Sequence, residues 1–193
     1  MSRFSVILAV SILALGGCDR ASEQSVQRGS EGETQSPDGS ESLTGTPDRS
    51  GAGAALPDFT VTDPDGDMLD LAGLEGAPVL LNLWATWCAP CVVEMPMLDA
   101  LAEEFDGELR VVTVSQDIRG AEVVEPFFDR REFTRLEPWL DPDSELAVRM
   151  SEGGQLPLSV VYNAQGREVL RVAGGYEWVS AEAKAMLREV LDD

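Results

Sequence analysis

Two periodicities alternate along this chain. Val79-Leu80-Leu81-Asn82-Leu83-Trp84 is an almost unbroken apolar run, too short for a helix, and predicts a buried strand. Directly after it, Val92, Met95, Leu98, Leu101, Ala102 and Phe105 recur at helical spacing. Shorter strands are predicted at Phe59–Val61, around Met68–Leu71, over Leu109–Ser115, within Leu136–Leu140 and over Leu158–Tyr162. Asn163-Ala164-Gln165-Gly166 reads as a hairpin turn that returns the chain through Glu168–Val172. Helices are predicted over Ala121–Arg131 (interrupted or restarted at Pro126), from the capping residues Asp141–Ser144 to about Met150, and from Ser180 to Leu191. This order predicts an α/β domain with a mixed central sheet flanked by helices.

The first 55 residues show neither period. Residues 1–17 carry Arg3 and then an apolar stretch, Val6 to Leu15, which is a signal-peptide pattern too short to span a bilayer. Leu15-Gly16-Gly17-Cys18 resembles a bacterial lipobox, which implies cleavage before Cys18 and lipid attachment to it. The alternative is an ordinary secretory signal with an unmodified thiol. Asp19 after the cysteine resembles the signal that retains lipoproteins at the periplasmic face of the inner membrane. Residues 18–55 are rich in Ser, Glu, Gly, Gln, Asp, Thr and Pro, too polar to offset the entropy of ordering, and are expected to be a disordered linker. A flexible chain of that length spans roughly 30–35 Å. The folded domain is expected over residues 56–193.

Composition narrows the chemistry. Hydrophobic content of 44% suffices for a core, and a net charge of −21 argues against nucleic acid as a partner. The acidity reads as solubility or salt adaptation, or as attraction toward a basic partner surface. There are three cysteines and no histidine, so Cys88 and Cys91 supply only half of a thiolate zinc site, and no metal site is expected. A Cu(I) carrier on the same two thiolates is a separate possibility, though no Met or His stands as an obvious third ligand.

The junction between the apolar run and the helix holds Trp87-Cys88-Ala89-Pro90-Cys91. Pro90 suits the first helical turn, where a missing N–H costs nothing. Cys88 then faces the unpaired N–H groups and positive dipole end of the helix, which stabilise a thiolate and make it a nucleophile at neutral pH. Cys91, one turn deeper, can close a disulfide onto Cys88. Glu94 follows Cys91 by three residues on the same face, where a partly buried carboxylate could accept its proton; a solvated helix charge is the alternative. Trp84 is expected in the core, and Trp87 as a part-exposed wall of the substrate surface.

The run from Val79 to Pro96 resembles the thioredoxin fold, and most closely the membrane-tethered TlpA/ResA-like thiol:disulfide interchange proteins. The resemblance covers about 135 residues, a normal domain size. It implies an N-terminal strand extension, a redox-active Cys88–Cys91 pair with no other cofactor, and a functional Glu94. Cytoplasmic thioredoxins carry a proton-accepting Asp where Asn82 stands, and an amide cannot take that role. The resemblance places a cis-proline at Leu156-Pro157, with the Leu156 backbone free to pair with an extended substrate. Leu158 and Ser159 depart from the Thr often found after that proline. Ala173–Trp178 resembles the C-terminal region of TlpA, or serves as a hydrophobic lead-in to the last helix. The implied partners are protein disulfides or dithiols, in cytochrome oxidase copper-site or cytochrome c biogenesis, with a membrane-embedded thiol reductant as electron donor.

Overall fold

The computed structural model describes residues 43–192. The predicted signal, Cys18 and the linker up to residue 42 lie outside the described residues. In chain order the elements are β1 Pro47–Asp48, β2 Thr60–Thr62, β3 Met68–Asp70, β4 Val79–Trp84, α1 Ala89–Glu104, β5 Arg110–Ser115, α2 Ala121–Arg131, β6 Trp139–Leu140, α3 Glu145–Met150, β7 Leu158–Tyr162, β8 Glu168–Ala173 and α4 Ala181–Leu191. The strands form one mixed sheet in the order β1-β8-β7-β4-β5-β6-β2-β3.

β4 is the middle of that sheet, parallel to β5 and antiparallel to β7, and all six of its residues are buried. A strand covered on both faces is apolar almost throughout, Asn82 being the exception, which is why no alternation appeared in its sequence. Its side chains still divide by the pleat. Leu80 and Trp84 join the core beneath α1 and α4, with Met95, Leu98, Leu101 and Leu187. Val79, Leu81 and Leu83 join the opposite core with Val61, Leu71 and Leu146. Asn82 shares a face with Leu80 and Trp84, so it projects toward α1.

Two expectations are corrected. The linker does not extend to residue 55: β1 pairs antiparallel with β8, and Gly53 N donates to Glu168 O at 2.8 Å while Glu168 N donates to Ala54 O at 2.7 Å. These are main-chain bonds that satisfy an open sheet edge, so the polar side chains gave no sign of them. Secondly, α2 runs unbroken through Pro126. The ring lies on the exposed side, where water can serve the carbonyl that loses its N–H partner, while Val124 and Phe127 anchor the buried side. Of the expected capping residues Asp141–Ser144, it is Asp141 that caps α3. The Asp141 carboxylate accepts from Leu146 N at 2.8 Å and Glu145 N at 3.3 Å, and Ser144 turns its hydroxyl to Gln116 O. The last helix follows expectation, with Ser180 Oγ accepting from Ala183 N.

Candidate active site

β4 ends at Trp84, and the chain turns through Ala85–Trp87 into α1, with Cys88 N donating to Ala85 O at 3.1 Å. Cys88 is the N-cap of α1: its backbone is extended, its carbonyl accepts from Val92 N at 3.0 Å, and Pro90 occupies the first turn. The thiolate formed on reduction thus sits at the helix start, at the positive end of the dipole. Cys88 and Cys91 are joined in a disulfide with a Cα–Cα distance of 5.2 Å. Cys88 retains 6% exposure and Cys91 none, so a partner's sulfur can approach only the first. Trp87 beside it is 69% exposed, as its expected role as a surface wall requires, and Trp84 is fully buried against Phe127.

Behind the pair lies Glu94. Its side chain is wholly buried, on the same face of α1 as Cys91. The solvated alternative is therefore excluded. Asn82 Nδ2 donates to its Oε1 at 2.6 Å, and Tyr176 N to its Oε2 at 3.1 Å. The same Asn82 amide donates to Ser159 Oγ at 2.9 Å. Among the described residues no Lys or Arg forms a salt bridge with Glu94. Burial pushes its carboxyl up to about 8, against the opposing pull of the Tyr176 and Asn82 donors and, more weakly, of Trp178 and Ser159. The Trp178 indole N–H lies outside hydrogen-bond geometry, so its pull is a dipole effect. A carboxyl held near 8 matches the ordinary thiol range, so a proton can pass between Glu94 and Cys91 with little driving force either way.

Leu156-Pro157 is cis. The β4–β7 register sets Leu158 opposite Leu83, which places Pro157 across from Trp84, at the end of β4 from which the cysteine turn departs. Cys88, Cys91, Glu94, Trp87, Pro90, Leu156 and Pro157 therefore gather at one end of the central strands. Cys18 lies outside the described residues. Among those residues no three Cys or carboxylate groups converge as metal ligands would.

Sequence reasoning missed two supports of this site. The first is Asp117, buried after β5, whose carboxylate accepts from Thr86 N at 2.8 Å, Thr86 Oγ1 at 2.7 Å and Ser115 Oγ at 2.8 Å. It pins the turn carrying Trp87; its signal was a lone Asp at a strand end, too common to single out. The second is Tyr176, which acts through a backbone N–H that any residue but proline supplies. The segment Ala173–Trp178 is thus more than a lead-in to α4: it holds Glu94, and it buries Trp178 against Tyr176 with ring centroids 5.0 Å apart.

A model of the AhpC/TSA family matches residues 52–166. The chain is 30% identical over 122 residues to the thiol-disulfide oxidoreductase ResA of Bacillus cereus (strain ZK / E33L), covering 63% of this chain and 69% of that protein. Two solved structures share the fold. The exposed lipoprotein thioredoxin Etrx1 of Streptococcus pneumoniae strain TIGR4 is 22% identical with a TM-score of 0.57, covering 71% of this chain and 100% of that one. StoA of Bacillus subtilis is 23% identical with a TM-score of 0.55, covering 72% and 100%. With a disulfide at the helix start, a buried carboxyl behind it and a cis-proline across from the strand end, the chain belongs to the AhpC/TSA family as a ResA-like thiol-disulfide oxidoreductase of the thioredoxin fold.

Proposed function

We propose that this protein is an extracytoplasmic reductant of protein disulfides, tethered through lipidated Cys18 to the periplasmic face of the inner membrane. Its substrates are cysteine pairs in proteins of cytochrome oxidase copper-site assembly or cytochrome c biogenesis, and a membrane-embedded thiol reductant returns its electrons. The lipobox-like Leu15–Cys18 and the TlpA/ResA resemblance support the location and substrate class.

The observation that carries the reductive direction is the buried Glu94 behind the pair. A strong oxidant owes its potential to a stabilised reduced thiolate. Here the linking dipeptide is Ala89-Pro90, with no histidine, and the side chain buried three residues after Cys91 is an acid. The reduced form therefore gains less than in an oxidant, and electrons are given up readily.

In the reductive half-reaction the Cys88 thiolate attacks one sulfur of a substrate disulfide. A mixed disulfide forms and one substrate thiolate leaves. Cys91 passes its proton to the Glu94 carboxylate and attacks Cys88 Sγ, which releases the second substrate thiolate. That thiolate takes up the proton, directly or through solvent. Two electrons have moved to the substrate, and Cys88–Cys91 ends as the disulfide. Cys91→Ser should stall the sequence at the mixed disulfide. Capture of proteins with cysteine pairs in the native envelope is the result expected. Stoichiometric Cu(I) binding by the unaltered protein, without any such capture, would favour the copper-carrier alternative instead.

A further inference from the structure

The residues ahead of β1 rest on the turn that leaves β8. Gly45 N donates to Gly175 O at 2.8 Å. A Cβ at position 45 would stand 2.6 Å from Gly174 O, 2.6 Å from Val172 Cγ1 and 2.9 Å from Gly175 O, closer than real side chains come. The two backbones therefore touch directly, and only glycine permits it. The same turn is held at two further points. Gly174 N donates to the carbonyl of cis-Pro157 at 2.9 Å, and Tyr176 N donates to Glu94 Oε2 at 3.1 Å. Three successive residues thus reach three parts of the molecule: the cis-proline, the N-terminal segment and the buried acid. Gly174 has φ of 90°, in the region that favours glycine, so the turn's path is specified by its sequence as well as by its neighbours.

We propose that Gly45 is a positioning residue of the active site: by seating the main chain of Gly174 and Gly175, it fixes the Tyr176 amide against the Glu94 carboxylate. The N-terminal segment is then a support of the chemistry as well as an edge strand. The proposal rests on the reading of Glu94 as proton acceptor for Cys91. The geometry also gives its sign. Withdrawing the Tyr176 N–H removes a donor that favours the charged carboxylate, so Glu94 holds its proton more tightly.

The test uses the full chain with Gly45→Val, the milder Gly45→Ala in case the first fails to fold, and Thr46→Ala as a control at an exposed neighbour. Two quantities are read. One is hydrogen exchange of the Tyr176 amide. The other is the pH profile of substrate release from a preformed mixed disulfide between Cys88 and a cysteine peptide. In the Gly45 variants the amide should exchange about tenfold faster or more. The rising limb of the rate should move to higher pH, lowering the rate at pH 7 by about three- to tenfold and leaving the plateau in place. Thr46→Ala should change neither. An unmoved limb, or a rate lowered equally at every pH, would overturn the proposal. Glu94→Gln separates the two levels. If it abolishes the limb while the Gly45 variants leave it in place, only the role of Gly45 is wrong. If Glu94→Gln itself leaves the limb, the reading beneath it fails.

Discussion

Among the described residues two glutamates are almost wholly buried, and they are held in opposite ways. Glu168, on β8, is 2% exposed and pairs bidentately with Arg171, both N–H···O distances being 2.6 Å. Arg171 also donates to Met150 O at 3.0 Å. Glu94 on α1 has no exposure and only neutral donors, Asn82 and the Tyr176 backbone. A carboxylate held bidentately by a guanidinium acts as a clamp between elements. A carboxylate facing dipoles alone is left near the point where it gains or loses a proton. The same side chain, at nearly the same burial, thus becomes structure in one place and chemistry in the other. The difference lies in whether a cation is supplied.

The contrast breaks most visibly on the structural side. Arg171→Met leaves Glu168 buried without its cation and should lower the unfolding free energy by about 3 kcal/mol, the low end for such pairs because the arginine is partly exposed. Chemical denaturation measures this, and the disulfide-exchange rate of the folded variant should be unchanged. Glu94→Gln should do the reverse, slowing the Cys91 step by about 10²-fold above pH 8 in stopped-flow single turnovers while the fold persists. If each substitution affected both properties alike, the distinction would be empty.

Stability against pH sharpens it further. The carboxyl of Glu94 lies at about 8 in the folded protein against an ordinary 4.5. Between those values the native state holds a proton that the unfolded chain has released, so stability falls as pH rises through the window and levels off above it. Glu94→Gln should remove this loss from the difference between denaturation series at pH 5 and pH 8.5. The smallest effect belongs to Ser159, which accepts from the Asn82 amide and pulls only weakly on Glu94. Ser159→Ala should change the rate at pH 7 by about two- to threefold at most.

How much of this was legible in the sequence follows from the same physics. β4 and α1 were plain because burial on both faces demands an almost unbroken apolar run, and because Pro90 and the two cysteines fit one place in a helix start. Glu94 was ambiguous, since spacing of three from Cys91 gives a shared face but says nothing of what covers it. Asn82, Ser159 and Tyr176 decide that, and of these Ser159 and Tyr176 come from a strand and a turn far along the chain. The ordered part of the expected linker was invisible for a different reason. It is fastened by main-chain bonds to β8, and such bonds leave no mark on side-chain composition. The Asp141 cap of α3 shows the same limit at short range, since several adjacent residues were chemically able to cap and the turn geometry chose among them.

The central claim is that Glu94 is a proton-exchanging acid poised for Cys91, and carboxyl carbon NMR reads it directly. With the glutamate side chains labelled with carbon-13 and Glu94→Gln used to assign the signal, the Glu94 Cδ resonance of the oxidised protein should titrate with a midpoint near 8. A midpoint near 4.5 would contradict the account, because the Glu94 carboxylate would then be far too weak a base to draw the proton from a thiol of ordinary pKa.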